Sequence, residues 1–438
     1  MSLAVERESS SQGGSGEGSY WETTGSGAPR KHEHVTVIGA GIVGLATAAA
    51  LVRSGRSVTV IDELQGPGHG TSWGNGCQLS YGYVAPLANE GLWSELPHLL
   101  CSSDSPLKIR PRLDPGQWSW MLSFLQACNA RCSRQSTTEL LELAKLSRQE
   151  TERWLAMVEP SVLSYTCHGK VVVLPTEAAL AKAMQQMKLQ EGLGPVQHAL
   201  TEEECLRLEP ALQRFRGKMA GAIHTPSECA VDSLALCRNL EQLLRARGVE
   251  FRYGTKVLGF ERAAGDSHRV AAVVSDQGRL AVDGMVLAAG VGSRAIARML
   301  GFSVPVYPMK GYSITGRILD SEAVPRASIT DAAKKVVYAR IGSRLRVAGF
   351  AELQGYDSAL DTAKIEALVQ YTHEAFGSAV EMEPDSAWAG LRPVTPTSVP
   401  IIRQSPVSNM FLNIGQGALG LTLAFGSARR LVELIEAR

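Results

Sequence analysis

Three glycines in the spacing G-x-G-x-x-G, Gly39, Gly41 and Gly44, could hold the pyrophosphate of a dinucleotide. Gly39 permits a tight turn out of a strand, Gly41 lets a pyrophosphate approach the backbone, and Gly44 lets a helix and a strand pack closely. Asp62 follows about 20 residues later, where a carboxylate can accept a hydrogen bond from a ribose hydroxyl. The alternative is a strand–helix–strand unit that binds no dinucleotide.

The residues around these glycines predict the unit that the motif requires. Val35, Val37 and Ile38 are apolar and suit a buried parallel strand, and residues 45–53 have the alanine-rich composition of a helix. Gly55 ends that helix, and residues 58–61 predict a second strand that stops at Asp62. A helix that begins at the glycines would offer unpaired N–H groups and a partial positive charge to a pyrophosphate.

A glycine-rich loop, GPGHGTSWGNGCQLSYGYVAP, follows this unit at residues 66–86. It carries hydroxyl and amide side chains at Thr71, Ser72, Asn75 and Gln78. Long irregular loops inside compact domains are usually functional, so we expect this loop to have a function. A solvated surface loop is the alternative.

A second glycine turn lies near the C-terminus. Residues 411–414 predict a strand that runs into Gly415, Gly417 and Gly420, and a helix begins near Leu419. The N-terminal end of that helix could stabilise negative charge on a flavin as it is reduced. The alternative is a strand–helix corner that binds no ligand.

The composition is that of a globular protein, with 45% hydrophobic and 20% charged residues among 438. The net charge of +1 provides no field for nucleic acid. The 8 cysteines form no CxxC pair and predict no metal site, so reduced thiols in a cytosolic protein are the simplest interpretation. Residues 1–30 contain no apolar run typical of a signal peptide, so we expect none, and no apolar run predicts a transmembrane helix.

Patterns along the rest of the chain predict its organisation. Residues 1–33 are rich in serine and glycine and predict a disordered tail. The middle of the chain lacks phosphate-loop glycines and predicts a second domain. Asp232 is the predicted N-cap of a helix over 233–247, and residues 249–282 predict short strands in an antiparallel meander.

Six motifs together resemble one family of flavoproteins. They are VIGAGIVG, TSWGNGCQLSYGYVAP, SPLKIRP, PVYPMKGYSIT, GLRPVTPTSVPII and FLNIGQGALGLTLAFGS, which span nearly everything from His34 to the C-terminus. The chain is similar to the glycine-oxidase and D-amino-acid-oxidase superfamily of FAD enzymes. Within that superfamily it most resembles the family of the D-amino-acid dehydrogenase small subunit.

The resemblance implies an α/β fold with two domains. One is a Rossmann-like FAD-binding domain built from discontinuous segments, residues 34–110, 225–300 and 388–438. The other is an α+β substrate domain with a mixed or antiparallel sheet, residues 111–224 and 301–387.

The resemblance also implies which residues contact FAD. They come from the first glycine turn and its acidic partner, the glycine-rich loop, two places in the middle of the chain, and the second glycine turn. The full set is Gly39, Gly41, Ile42, Val43, Gly44, Asp62, Glu63, Thr71, Ser72, Asn75, Gly76, Cys77, Gln78, Leu79, Val257, Ala289, Gly290, Gly417, Ala418, Leu419, Gly420 and Thr422.

Arg392, in the G-L-R-P motif, is the residue that the resemblance assigns to the carboxylate of the substrate. Its planar guanidinium can hold a carboxylate through two parallel hydrogen bonds, which Lys cannot do. The alternative is a structural ion pair. Tyr312, in the K-G-Y-S motif, is a weaker candidate for a hydroxyl that lines the substrate site, and a core or surface aromatic residue is an equal alternative.

Gln416 marks a departure from the family pattern. The dehydrogenases that the chain resembles usually carry His in a G-H-G-T-L-G motif, where this chain has Gln416 and, two positions later, Ala418. Gln can donate and accept hydrogen bonds but cannot carry a proton at neutral pH. We therefore expect flavin binding to persist, while the substrate preference or the electron acceptor can differ.

The predicted function is oxidative deamination of D-amino acids to 2-oxo acids and ammonia, with hydride transfer to flavin N5. Arg392 would hold the carboxylate, and no side-chain base is required. The electrons would pass to an acceptor other than NAD: a quinone or respiratory chain, or O₂. Alternatives are oxidation of secondary or cyclic amino acids (D-proline, hydroxyproline, glycine, sarcosine) and a flavin subunit of a hetero-oligomer.

The expected location is the cytoplasm or, through peripheral contact, the cytoplasmic face of the inner membrane. The sequence leaves the oligomeric state open.

Overall fold

The computed structural model describes residues 20–21, 32–89 and 107–437. Most of the predicted tail, and the first two residues of the SPLKIRP motif, lie outside these ranges. Within the tail, the prediction of disorder is wrong at Tyr20 and Trp21. Tyr20 is only 3% exposed and packs edge to face on Trp154, while the Arg53 guanidinium lies 4.4 Å from the Tyr20 ring centre. Two adjacent aromatic rings bury enough apolar area to fix this short piece of chain.

The described residues form strands and helices in a mixed order. The strands, numbered along the chain, are β1 (His34–Ile38), β2 (Ser57–Ile61), β3 (Gln78–Leu79), β4 (Leu107–Ile109), β5 (Lys170–Leu174), β6 (His198–Leu200), β7 (Gly221–Thr225), β8 (Cys229–Ala230), β9 (Glu250–Arg252), β10 (Val257–Ala263), β11 (Asp266–Ser275), β12 (Gly278–Ala281), β13 (Gly284–Leu287), β14 (Tyr307–Ile318), β15 (Ser328–Asp331), β16 (Val336–Ile341), β17 (Arg344–Leu353), β18 (Val380–Val394), β19 (Ile401–Gln404) and β20 (Met410–Ile414). The α-helices are α1 (Ile42–Arg53), α2 (Pro115–Ala127), α3 (Ala130–Leu155), α4 (Glu177–Gln190), α5 (Glu202–Leu208), α6 (Ser233–Arg245), α7 (Ser293–Met299), α8 (Thr362–Phe376) and α9 (Gly420–Glu436). Short 3₁₀ turns lie at Pro160–Leu163, Pro210–Phe215, Gly290–Gly292, Gly377–Ala379 and Gly417–Leu419.

The first sheet has six strands in the order β19-β20-β13-β1-β2-β9. All its pairings are parallel except that of β19 with β20. Its central strand β1 is apolar because helices cover the sheet, and α1 packs against both α6 and α9. Strands β1, β13 and β20 each run into a glycine-containing turn at their carboxyl end. Neighbouring parallel strands therefore bring three distant turns to one edge of the sheet.

The second sheet has nine strands, with the order β18-β14-β17-β16-β15-β5-β7-β6 and with β4 paired to β17. Most pairings are antiparallel, and helix α8 packs on β14, β17 and β18. Strand β4 belongs to this sheet although it falls in the predicted FAD-binding segment, and β18 crosses the predicted boundary at 388. The division into two domains stays a prediction.

Two smaller predictions are confirmed with adjustments. Asp232 caps α6 by accepting hydrogen bonds from the N–H groups of Leu234 and Ala235, at 2.9 and 3.2 Å. Strands β10, β11 and β12 form the expected antiparallel meander, but β9 joins the first sheet. No helix among the described residues is long and apolar enough to cross a membrane.

The cysteines require a correction. Cys167 and Cys229 form a disulfide, so the prediction that all thiols are reduced is wrong for this pair. The two residues are 62 positions apart, and the folded chain places them opposite one another beside the bridge between Thr166 and Ala230. No spacing in the sequence signals such a pair.

Candidate functional site

The first glycine turn is built so tightly that side chains cannot enter it. Gly39 has a φ of +116°, and a Cβ there would overlap the carbonyl oxygen of Ala288 in the neighbouring strand end. A Cβ at Gly44 would overlap the carbonyl oxygen of Gly39. At Gly41 the nearest atom to an added Cβ is Ser72 Oγ, at 3.6 Å. The turn is thus closed behind Gly39 and Gly44 and open at Gly41, as the binding of a pyrophosphate requires.

The N-terminus of α1 is arranged to receive an anion. Gly41 is the N-cap and has no side chain to bond the first turn, which contains no acidic residue. Ser72 from the glycine-rich loop accepts a hydrogen bond from Ile42 N at 3.1 Å, and Ser233 Oγ holds Ser72 in place through its carbonyl oxygen at 2.7 Å. The other N–H groups of the first turn have no partner within the helix and favour a bound phosphate.

A cavity of about 520 Å³ extends from this helix along the edge of the first sheet. The structure brings together there predicted cofactor residues from all the separated parts of the chain. They are Gly39, Gly41, Ile42, Val43, Asp62, Glu63, Thr71, Ser72, Asn75, Val257, Ala289, Gly290, Gly417 and Gly420, together with Gln416.

The remaining predicted cofactor residues do not line this cavity. They are Gly44, Gly76, Cys77, Gln78, Leu79, Ala418, Leu419 and Thr422. Several of them lie behind its wall: Cys77 is fully buried with its N–H on Asn75 Oδ1 at 2.9 Å, and Thr422 Oγ1 accepts a hydrogen bond from Ser80 N at 3.1 Å. The contact with Thr422 holds the glycine-rich loop against α9.

Asp62 and Glu63 have different environments at the end of β2. The Asp62 carboxylate accepts hydrogen bonds from Ala40 N at 2.6 Å and Leu64 N at 2.8 Å, and burial raises its pKa. Glu63 is exposed at the rim of the cavity. Asp62 therefore fixes the first glycine turn through Oδ2 and the chain after β2 through Oδ1. This leaves Glu63 as the more accessible acceptor for ribose hydroxyls.

A chain of hydrogen bonds fixes the orientation of Gln416. Thr47 Oγ1 donates to Val43 O at 2.7 Å, so it accepts from Asn413 Nδ2 at 3.0 Å. Asn413 Oδ1 then accepts from Gln416 Nε2 at 2.7 Å. The Oε1 oxygen of Gln416 is left as an acceptor on a residue that lines the cavity.

Arg392 projects from β18 at the position that pairs with Met309 on β14. Its Nη1 donates to Phe350 O at 2.8 Å. Phe350 has a φ of +63° where the pairing of β14 and β17 shifts register between Lys310 and Tyr312. This bulge turns the Phe350 carbonyl toward the guanidinium, and a local backbone conformation of this kind is often found beside active sites.

The guanidinium of Arg392 is desolvated but has no paired anion. The surrounding protein lowers its pKa to about 10, and burial is the sole cause. No carboxylate in the described ranges forms an ion pair with it. A Cβ on Gly311 would overlap the guanidinium, so glycine is required at that position. Gly390, Leu391 and Pro393, its neighbours on β18, line the cavity. A buried cation without a counter-ion is unfavourable unless a ligand supplies the negative charge, so the arrangement is suited to an anion such as a carboxylate. That Arg392 binds the substrate stays a prediction.

Tyr312 lies on the opposite side of β14. Side chains alternate along a strand, so Gly311 faces Arg392 while Tyr312 enters the core beneath α8. Tyr312 is 1% exposed, and its hydroxyl donates to Glu352 Oε2 at 2.8 Å. Desolvation, the largest cause, and the Glu352 carboxylate raise the Tyr312 pKa. The structure does not bring this hydroxyl into the cavity.

Trp388 is a cavity residue that the sequence analysis missed. Its indole lies so close to two glycines that a Cβ at Gly74 or Gly390 would overlap the ring. Trp388, Gly390 and Arg392 alternate along β18 and so share one face of the sheet. The available signal was the W-x-G-x-R spacing, which places an aromatic wall beside the arginine once residues 388–392 are read as a strand.

These residues fit FAD. Gly41 leaves room for the pyrophosphate at a helix N-terminus, Glu63 and Asp62 lie where the ribose is expected, and Gln416 supplies an acceptor in the cavity wall. Among the described residues, no group of three or more His, Cys, Asp or Glu side chains could hold a metal ion.

Comparisons with known proteins agree with this geometry. The family model described as FAD dependent oxidoreductase (DAO) matches residues 34–434. The chain is 43% identical to D-amino acid dehydrogenase 2 of Ralstonia nicotianae over 413 residues, covering 92% of this chain and 96% of the relative. It is 40% identical to D-amino acid dehydrogenase 2 of Pseudomonas aeruginosa, covering 93% and 95%. Among solved structures, glycine oxidase from Bacillus cereus shares the fold with a TM-score of 0.70 at 17% identity, covering 92% of this chain and 95% of that one.

The match to the family model covers nearly the whole chain, and the two curated relatives are similar over almost their full lengths. The recognised resemblance, the mixed α/β fold and the FAD cofactor are thereby confirmed. This chain belongs to the DAO family of FAD-dependent oxidoreductases.

Proposed function

We propose that this enzyme oxidises D-amino acids to 2-oxo acids and ammonia, and that Arg392 binds the carboxylate of the substrate. The observation that carries the proposal is the guanidinium of Arg392, desolvated beside the cofactor cavity and without an acidic partner among the described residues. The names of the relatives, both D-amino acid dehydrogenase 2, support the choice of substrate.

The geometry assigns separate tasks to the residues around the cavity. The Phe350 carbonyl accepts a hydrogen bond from Nη1 of Arg392 and so holds the guanidinium in one orientation. The other N–H groups of the guanidinium are left for a carboxylate. Trp388 supplies an apolar wall that excludes water beside the arginine. FAD, when bound, supplies the two-electron acceptor for the substrate. Orientation is the main contribution of the protein.

The chemistry balances without a side-chain base. The amino acid, with its amine neutral, gives up two electrons and two protons and becomes an imino acid. Water then converts the imino acid to a 2-oxo acid and ammonia. Arg392, Trp388 and Gln416 do not act as proton acceptors in this scheme, since each serves to bind or orient.

The electron acceptor is the second part of the proposal. We assign a quinone or another respiratory acceptor rather than NAD, in line with the dehydrogenase names of the relatives. A quinone acceptor would place the enzyme at the cytoplasmic face of the inner membrane, in peripheral contact. Rapid release of peroxide in air would instead make O₂ the acceptor and the enzyme a cytoplasmic oxidase.

The direct test is an anaerobic absorbance titration of the FAD-loaded protein with D- and L-amino acids, one at a time. Bleaching of the flavin bands by D-amino acids, and not by their L-enantiomers, is the expected result. Bleaching only by D-proline, hydroxyproline, glycine or sarcosine would transfer the function to secondary or small amines. A flavin that no amine bleaches would contradict independent catalysis and indicate a subunit of a larger complex.

A further inference from the structure

The segment 228–233 forms the support on which the glycine-rich loop rests. It contacts that loop at intervals from residue 72 to residue 82, on the side away from the cavity. The contacts are Ser233 Oγ to Ser72 O (2.7 Å), Val231 N to Cys77 O (2.9 Å), the antiparallel pairs Gln78–Ala230 and Leu79–Cys229, and the Glu228 carboxylate with Tyr81 N (2.8 Å) and Gly82 N (2.6 Å). This segment therefore holds one side of the loop, opposite its contacts with α9.

A disulfide bond connects this segment to a stretch of chain 62 positions earlier in the sequence. The disulfide joins Cys229, the second residue of the segment, to Cys167, next to the paired residues Thr166 and Ala230. Thr166 and Ala230 exchange backbone hydrogen bonds of 2.9 and 2.8 Å. The two cysteines are therefore opposite one another on adjacent antiparallel stretches of chain.

The two cysteines differ in exposure to solvent. Cys167 is exposed, whereas Cys229 is 8% exposed. The Tyr165 hydroxyl oxygen lies 2.9 Å from Cys167 Sγ and 3.3 Å from Cys229 Sγ. A thiol reagent can therefore reach Cys167 from solvent, and the Tyr165 hydroxyl can donate to the Cys229 sulfur as it leaves.

We infer that Cys167 and Cys229 form a reversible thiol–disulfide exchange site that controls how firmly the glycine-rich loop is held against FAD. A dithiol reductant attacks Cys167 Sγ, the bond between the two cysteines breaks, and Cys229 leaves as a thiolate. The second thiol of the reductant then releases Cys167, so two electrons pass from the dithiol to the protein. Reducing compartments keep cysteines as free thiols, whereas oxidising compartments favour the disulfide. The affinity for FAD would therefore depend on the redox state of the surroundings.

The first test counts thiols in the denatured protein with and without prior treatment with dithiothreitol. Two additional thiols per chain after reduction are expected, with Cys167 and Cys229 identified by peptide mass spectrometry after alkylation. An unchanged count would overturn the proposal.

The second test measures the dissociation constant for FAD by quenching of its fluorescence, in the oxidised and the reduced protein. Without the disulfide, segment 228–233 and the loop that it supports have more conformational freedom, which they lose when FAD binds. The affinity for FAD should therefore weaken on the order of threefold after reduction. Equal dissociation constants in the two states would overturn the control of FAD binding. The readout is cofactor binding, so it does not depend on which amine the enzyme oxidises.

Cysteine variants distinguish reduction of the Cys167–Cys229 disulfide from other effects of dithiothreitol. Cys167→Ser and Cys229→Ser should each show the weaker affinity from the start and no further response to dithiothreitol. Cys167 is exposed, so its substitution leaves the core unchanged. Cys132→Ser is the matched control, since Cys132 is a partly exposed free thiol on α3, and this variant should keep the full response. A response that survives in Cys167→Ser would contradict the assignment.

Discussion

The cofactor cavity and the arginine site next to it are built in opposite ways. The cavity begins with a continuous stretch, β1, α1 and β2, whose glycines remove side chains from a backbone surface. The arginine site has one charged side chain held by residues about 40 and 80 positions away, Phe350 and Gly311. The cofactor cavity depends on the absence of side chains at the glycines of a local motif. The arginine site depends on long-range strand pairing. Substitutions should therefore affect folding and FAD binding at the first site, and substrate binding at the second.

Gly44→Ala should have the largest effect, because its Cβ would overlap the Gly39 carbonyl oxygen at the base of the turn. We expect a loss of about 3 kcal/mol of unfolding free energy and no retained FAD. Thermal unfolding and the flavin absorbance of the purified protein measure both. The matched control is Gly259→Ala on β10, where an added Cβ meets nothing within 4 Å and stability should hold. Retention of FAD by Gly44→Ala would contradict this account of the turn.

Arg392→Lys should have the second-largest effect, and it should impair the reaction with the substrate without changing FAD binding. Lys keeps the charge but loses the fork that binds a carboxylate and the Phe350 carbonyl together, so kcat/KM should fall about 100-fold. The dissociation constant for FAD should stay within a factor of about two. Arg403→Lys, at an exposed position on β19, is the matched control and should be unchanged. Steady-state kinetics with the best D-amino acid would refute the assignment if the two variants behaved alike.

Tyr312→Phe distinguishes a core residue from a residue of the substrate site. The variant removes the donor to Glu352, a carboxylate that is 1% exposed, so the free energy of unfolding should fall by about 1–2 kcal/mol. Substrate kinetics should stay within about twofold of the wild type, because the hydroxyl does not line the cavity. Denaturant unfolding and kcat/KM measured on the same preparation separate the outcomes. A large fall in kcat/KM at unchanged stability would restore Tyr312 to the substrate site.

Thr47→Val should have the smallest effect of the four. Val has nearly the same shape but cannot accept the hydrogen bond from Asn413, so the amide chain that orients Gln416 loses its anchor. We expect FAD to bind about fivefold more weakly, which corresponds to about 1 kcal/mol, together with a small shift of the flavin absorbance maxima. An unchanged affinity and spectrum would show that the orientation of Gln416 does not depend on this chain.

The features that the sequence could predict are those that depend on local motifs and not on long-range strand pairing. The first glycine turn, the strands around it and the cap of α6 depend on local spacing, and they were predicted with their residues. The gathering of the second turn and Gly290 at the same sheet edge was available only through resemblance, because no local pattern states which strands are neighbours.

The contacts that the sequence could not predict depend on long-range pairing. The bulge at Phe350, the close approach of Trp388 to Gly74, and the disulfide each join residues that no spacing rule connects. Tyr312 was assigned to a motif correctly, but its direction depends on strand register, and a shift of one residue exchanges the two faces of a sheet. The packing of Tyr20 and Trp21 was missed because their flanking residues have a disordered composition.

The most direct test of the central claim compares a D-amino acid with its carboxamide, which lacks the negative charge, on the wild type and on Arg392→Ala. If Arg392 binds the carboxylate, the wild type should prefer the acid by about 100-fold in the anaerobic rate of flavin reduction. The variant should lose most of that preference. An acid-over-amide preference that is the same in both proteins would contradict the account, because the carboxylate would then be recognised elsewhere.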